Sequence, residues 1–148
     1  MKKLVISIII FAATAVAISA QHEKTIFPAK ISMDEVAGKI FERENMIKTK
    51  RDSGNVTLDV TTLLSSDKKF ASGMYRSGKS YFEANDPYGV DEFMYFLEGS
   101  VKLTSSDGTV QTINAGEAVT IPKEWTGVWD TEGYTKIWVI YSEDGSGL

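Results

Sequence analysis

The chain has 148 residues, room for one domain and too little for two ordinary ones. Hydrophobic residues make up 43% and charged residues 24%, the balance of a chain that folds around a core rather than staying disordered. A formal charge of −4 and an isoelectric point near 5.0 argue against nucleic acid as a partner. There is no cysteine and a single histidine, His22. That composition excludes disulfides, cysteine-ligated zinc, iron–sulfur clusters and thiol nucleophiles. It also excludes histidine-rich metal sites and speaks against a Ser-His-Asp triad.

Lys2 and Lys3 precede an apolar run, Leu4 to Ile18, closed by Ser19-Ala20 before polar Gln21-His22-Glu23. A positive start, an apolar centre and small residues before the cut describe a secretory signal peptide over residues 1–20, cleaved after Ala20. The run falls short of the ~20 apolar residues that a spanning helix needs. The expected product, residues 21–148, is secreted or periplasmic, with no membrane attachment after cleavage. Losing two lysines and no acid makes it more acidic still. His22 then lies beside the new N-terminus as an exposed, inert residue.

Ser32-Met33-Asp34-Glu35 has the S-x-x-E form of a capping box. Met33, Val36, Ala37, Ile40 and Phe41 follow at helical spacing, which predicts a short helix over Met33–Arg43. Residues 21–55 therefore read as an N-terminal segment with one helix, and Lys48–Asn55 as a polar loop. From Val56 the pattern changes to period two. The predicted strands are Val56–Leu64, Lys69–Arg76, Ser80–Glu83, Glu92–Leu97, Ser100–Ser105, Thr109–Ile113, Ala118–Ile121, Gly127–Thr131 and Thr135–Tyr141. Turn signals stand between them, among them Ser77-Gly78, Glu98-Gly99, Ala115-Gly116 and Glu132-Gly133. Asp107-Gly108 marks a tight hairpin. Short strands at this spacing predict an all-β sandwich or small barrel over residues 56–143, followed by a frayed tail over 144–148.

Two predicted strands are apolar on both faces, Phe93–Leu97 and Ile137–Tyr141. A wall strand of a lone barrel alternates between lumen and solvent. Something must cover the outer face: the Val36–Phe41 helix, the N-terminal segment, or a second subunit in a homodimer.

Glu92 stands seven residues before Gly99, and Gly116 six residues before Pro122, with the Asp107-Gly108 hairpin between them. This arrangement resembles the two motifs of the cupin superfamily. The resemblance implies a single double-stranded β-helix barrel, the RmlC-like jelly roll, with one short N-terminal helix ahead of it. Asp91-Glu92-Phe93, Gly127-Val128-Trp129 and Lys136 further resemble the subfamily of ureidoglycine aminohydrolase-like and ethanolamine-utilisation (EutQ-like) cupin domains. Metal cupins hold their ion with three histidines and the first-motif Glu. Here the first two histidine positions fall at Asp86 and Tyr88, or at Asn85 and Pro87, and the third falls at Gly127. Only Glu92 of the four ligands is present, so no metal site and no cofactor are expected. An oxygen site from Glu83, Asp86 and Glu92 for Ca²⁺ or Mg²⁺ needs more ligands than the sequence places.

Parity then suggests the lining of the barrel. With Gly127 at the third-histidine place, Trp125 and Trp129 point inward; with Glu92 inward, Met94 and Phe96 join it. The subfamily resemblance puts Lys136 on the lumen side, and Trp138 and Ile140 with it. Tyr88 lies at the mouth and Tyr95 faces outward. Glu92 and Lys136 read either as a buried salt bridge or as an acid–base pair. The tryptophans read either as core filling or as a stacking surface for a sugar or heterocycle. The expected function is the binding of a small polar or sugar-like molecule in the barrel. A metal-independent isomerase, lyase or ureidoglycine aminohydrolase-like enzyme using Glu92 and Lys136 is the alternative, and a non-catalytic homodimeric module a second.

Overall fold

The computed structural model describes residues 25–148. The signal peptide read over residues 1–20 and His22 lie outside the described residues. Among the described residues no helix is long and apolar enough to cross a membrane.

The N-terminal segment begins with the capping box that the sequence announces. The Ser32 backbone N–H donates to Glu35 Oε2 at 2.8 Å, and the Glu35 backbone N–H donates to Ser32 Oγ at 3.4 Å. The helix is shorter than predicted. Helix α1 covers only Met33–Val36, and a separate 3₁₀ turn covers Lys39–Glu42. Gly38, with φ 122°, breaks the helix between them. The apolar spacing still does its part, because Ile40 and Phe41 are buried.

Seven antiparallel strands follow: β1 Ile47–Lys50, β2 Val56–Leu64, β3 Phe70–Ala84, β4 Asp91–Ser105, β5 Val110–Asn114, β6 Ala118–Ile121 and β7 Gly127–Tyr141. They hydrogen-bond in the order β1-β2-β3-β7-β4-β5, with β6 also on β4. Three long strands replace six predicted short ones. Gly78, Gly99 and Gly133 are bends within β3, β4 and β7, not turns between strands. They meet at one seam, where Gly78 pairs with Gly133, Ser100 with Gly133, and Gly99 with Tyr134. Strands kinked at a common height fold one continuous sheet into the two halves of a jelly roll. The Asp107-Gly108 hairpin forms as expected: the Gly108 N–H donates to the Ser105 carbonyl at 2.8 Å, closing the turn from β4 into β5.

Register puts successive residues on opposite sides of the sheet. Val60, Met74 and Ile137 are directly opposite one another across β2, β3 and β7 on the outer face. Together with Leu97 they pack under Ile40 and Phe41. The N-terminal segment therefore covers part of the doubly apolar surface. Farther along the same face Phe93, Tyr95 and Tyr141 remain exposed. The inner face carries the main core, with Met94, Phe96, Val101, Leu103, Ile113, Ile121, Trp129 and Tyr134 buried together. Ser142–Leu148 is not frayed: Ser142 Oγ donates to the Ser146 carbonyl at 2.7 Å, turning the tail back across the mouth of the barrel.

Candidate functional site

One residue before Val60, one after Met74 and one before Ile137, the inner face carries Asp59, Tyr75 and Lys136 in a single cross-strand row. Phe96 on β4 completes the row beside Lys136. Asp59, Tyr75 and Lys136 border a cavity of about 310 Å³ that also touches Glu92, Trp129 and Trp138. The ionisable groups at its floor are nearly dry, Glu92 being 3% exposed and Lys136 5%.

Lys136 Nζ donates to Glu92 Oε1 at 2.6 Å and to Met94 Sδ at 2.9 Å. Tyr88 OH donates to the other oxygen, Oε2, at 2.5 Å. The carboxylate is thus gripped from both sides by charge-assisted hydrogen bonds. The ammonium also lies 5.5 Å from the ring centre of Tyr75, 5.6 Å from Trp129 and 5.9 Å from Tyr134. Three aromatic faces around one cation partly replace the water lost on burial. Burial, reinforced by the Glu92 charge, holds the Tyr88 hydroxyl well above the usual phenol range, so it stays a proton donor. Burial acts on Tyr134 in the same direction.

Asp59 is a second carboxylate in the same wall, and the sequence pattern did not single it out. Its Oδ1 accepts from Trp138 Nε1 at 3.2 Å. Burial pushes its carboxyl above the usual value, an effect the Trp138 hydrogen bond and the Lys136 charge partly offset. The mouth is formed by Arg51, Phe82 and the returning tail at Gly147 and Leu148. Phe82 stacks on Trp129 with ring centres 5.8 Å apart and planes 15° from parallel.

Of the residues the sequence selected, Glu92, Lys136, Tyr88, Trp129 and Trp138 all border this cavity. Trp125 does not. Strand β7 begins only at Gly127, so the alternation that places Trp129 inward does not extend back to Trp125. Trp125 sits in a turn, with its N–H on the Pro122 carbonyl at 2.9 Å and its indole donating to Ser105 Oγ at 3.2 Å. It buttresses Tyr88 edge-on at 6.3 Å.

Residues 64–136 match the family model described as the EutQ-like cupin domain. Those residues form a EutQ-like cupin domain. Solved structures show the same fold at low identity. EutQ from Clostridium difficile is 17% identical with a TM-score of 0.52, over 68% of this chain and 97% of that one. A protein of unknown function from Rhizobium leguminosarum is 19% identical with a TM-score of 0.53, over 80% of this chain and all of that one. A DUF861-family protein of unknown function from Pseudomonas syringae is 16% identical with a TM-score of 0.57, over 64% of this chain and 43% of that one. No curated protein matches.

The metal that many cupins carry does not fit this member. A Cβ built at Gly127, the third-histidine position, falls 2.2 Å from the Thr104 carbonyl oxygen and 2.7 Å from the Trp125 ring. No side chain of any kind can stand there without displacing backbone. At the second-histidine position Tyr88 is spent on Glu92, and the other Glu92 oxygen holds Lys136. Among the described residues no three His, Cys, Asp or Glu side chains converge, so the oxygen set of Glu83, Asp86 and Glu92 does not assemble either. In this EutQ-like cupin an ammonium and a phenol hydroxyl surround the first-motif carboxylate.

Proposed function

We propose that this EutQ-like cupin binds a small polar or sugar-like molecule inside the barrel, stacked on Trp129 and oriented by Glu92 and Lys136. The observation that carries the reading is the open cavity of about 310 Å³ with a nearly dry ion pair in its wall. Ligand sites are concave, mostly apolar and fixed by a few convergent polar groups. A buried ion pair is weak ground for stability, because desolvation offsets its attraction. One that borders a cavity, as here, gives a ligand two strong partners in a medium where hydrogen bonds count for more than in water. Titration of the purified chain with sugars, amino acids and ureides, followed by tryptophan fluorescence, tests it. A saturable change that Lys136→Met abolishes is the expected result; no saturable response across the panel sinks the reading.

A second reading is favoured by the unbroken chain from Tyr88 through Glu92 to Lys136. In a metal-independent isomerase, lyase or aminohydrolase, including a ureidoglycine aminohydrolase-like enzyme, Glu92 takes a proton from carbon or water. Lys136 stabilises the oxyanion that develops, and protonated Glu92 then returns its proton to the product carbon or to the departing amine. Turnover surviving Glu92→Gln removes this reading. The third reading, a non-catalytic homodimeric structural module, requires a barrel closed by its own side chains, and the open cavity weighs against it.

Self-association and export belong to the same proposal. A second copy of the chain is the proposed cover for Phe93, Tyr95 and Tyr141, whose exposure supports it. A monomer in sedimentation at micromolar concentration would exclude that homodimer. The Lys2-Lys3 start, the Leu4–Ile18 run and Ser19-Ala20 support secretion or delivery to a periplasm, with Gln21 as the first residue of the exported chain. N-terminal sequencing of the exported protein checks that assignment.

A further inference from the structure

The charges that face the cavity do not all cancel. Lys136 and Glu92 neutralise one another, while Asp59 accepts from the Trp138 indole and makes no ion pair among the described residues. Arg51 is in the opposite situation. The chain has three arginines, Arg43, Arg51 and Arg76. Arg43 is paired with Glu35 and Arg76 with Glu98, whereas Arg51 has no carboxylate at ion-pair distance among the described residues. Asp59 and Arg51 line the same cavity.

They stand at its two ends. Lys50 is in register with Val56 and Ile47 with Asp59. Arg51 therefore lies about four strand residues from Asp59, roughly 13 Å at the rise of an extended chain. The wall between them is aromatic, formed by Tyr75, Trp129 and Tyr134. Arg51, Tyr75, Trp129 and Tyr134 also border a second cavity of about 380 Å³, which Ser53, Asn55, Ser77 and Ser80 line on its other sides. There the Asn55 amide donates to Ser77 Oγ at 3.2 Å, while its Oδ1 is buried with no donor. The hydroxyls along this second cavity offer a ligand further hydrogen-bond partners.

We infer that the ligand of this cavity is an elongated zwitterion, with an amine at the Asp59 end, a carboxylate or phosphate at the Arg51 end, and a flat body between them. The inference rests on the reading that the barrel binds a small molecule, and adds the charges that molecule carries. An ammonium beside Asp59 supplies the cation that this partly buried carboxylate lacks. The planar guanidinium of Arg51 matches a carboxylate or phosphate through two parallel N–H donors. A molecule with only one charge leaves one of the two residues without its partner.

The test uses three compounds of one shape: 4-(aminomethyl)benzoate, 4-methylbenzoate and 4-methylbenzylamine. Each is titrated into the full chain and followed by tryptophan fluorescence and calorimetry. The zwitterion is expected to bind at least about tenfold more tightly than either singly charged analogue. Asp59→Asn should reduce it to the affinity of the benzoate, and Arg51→Gln to that of the benzylamine. Asparagine keeps an acceptor for Trp138, Arg51 is at the exposed mouth, and an unchanged near-ultraviolet circular dichroism spectrum certifies each variant as folded. Equal binding of the three compounds, no binding of any, or loss of preference in neither variant overturns the inference. If the metabolite panel yields ligands while these compounds bind alike, only the zwitterion assignment falls. If the panel fails as well, the small-molecule reading falls with it.

Discussion

The two faces of the sheet formed by β2, β3 and β7 use neighbouring residues for opposite ends. On the outer face Val60, Met74 and Ile137 meet Ile40 and Phe41 in a closed apolar cluster. On the inner face Asp59, Tyr75 and Lys136, each one residue away in sequence, border open space with charge and aromatic rings. The outer row gains its stability from burial alone: Val60, Met74 and Ile40 are fully inaccessible, which is worth roughly 1.5–3 kcal/mol per side chain. The inner row accepts the cost of desolvating ions and leaves volume unfilled. The difference teaches that the fold is held by the outer cover and the apolar inner core, which frees the charged row to keep groups that stability alone would not select.

The sharpest way to break that contrast is to remove one member of the inner pair. Glu92→Ala strands the Lys136 ammonium and should cost about 3–5 kcal/mol in urea unfolding. Replacing Glu92 and Lys136 together by methionine should recover most of that loss; a double variant as unstable as the single one would mean that the ion pair itself does hold the fold. Ile40→Ala tests the outer face, with an expected loss of roughly 2–3 kcal/mol from transfer and cavity terms. It should leave ligand titrations of the barrel unchanged, since Ile40 touches the far side of the wall. Tyr88→Phe removes one hydrogen bond to Glu92 and should cost about 1.5 kcal/mol. The smallest effect is expected at Asp59. Its folded-state carboxyl is raised above the ordinary value of 3.8, so the folded protein holds this proton more firmly than the unfolded chain does. Asp59 therefore lowers stability at neutral pH, and the penalty disappears as pH falls to 3.8 and below. Asp59→Asn should raise the melting temperature at pH 7, with a gain that vanishes toward pH 3. A gain independent of pH would show that desolvation of the charge is not its source. The variant that stabilises the fold is also the one expected to lose the amine, the usual exchange at a binding residue.

Much of this contrast is legible in the chain itself. The motif spacing around Glu92 and Gly116 fixes the jelly roll, and the resemblance at Lys136 places the basic partner on the same side. The doubly apolar strands announce an external cover, and Ile40 and Phe41 provide part of it. Other parts depend on information that local pattern does not hold. Gly78, Gly99 and Gly133 look like turn residues because a glycine bend and a glycine turn share the same local signature; only the pairing across the seam separates them. Strand β1 is exposed at all four positions, so it has no alternation to betray it, and it reads as loop. Asp59 lies in a strand whose limits the sequence predicts, alternating with Val60 as a solvent-facing acid would. It becomes a site residue only through its register with Tyr75 and, beyond that, Lys136. Trp125 fails for the converse reason: parity was carried across a turn, where side chains no longer alternate.

The contacts that assemble the cavity are also among the most distant along the chain. Lys136 meets Glu92 across 44 positions, and Trp138 meets Asp59 across 79. Loop closure must be met before such pairs can form, so they belong to the slow, topology-limited part of folding. Trp129 and Trp138 border the cavity, and their emission should reach its native value only when β7 has docked between β3 and β4. In a refolding experiment the candidate binding site would then serve as an optical clock for barrel closure, lagging behind the backbone signal of the Asp107-Gly108 hairpin.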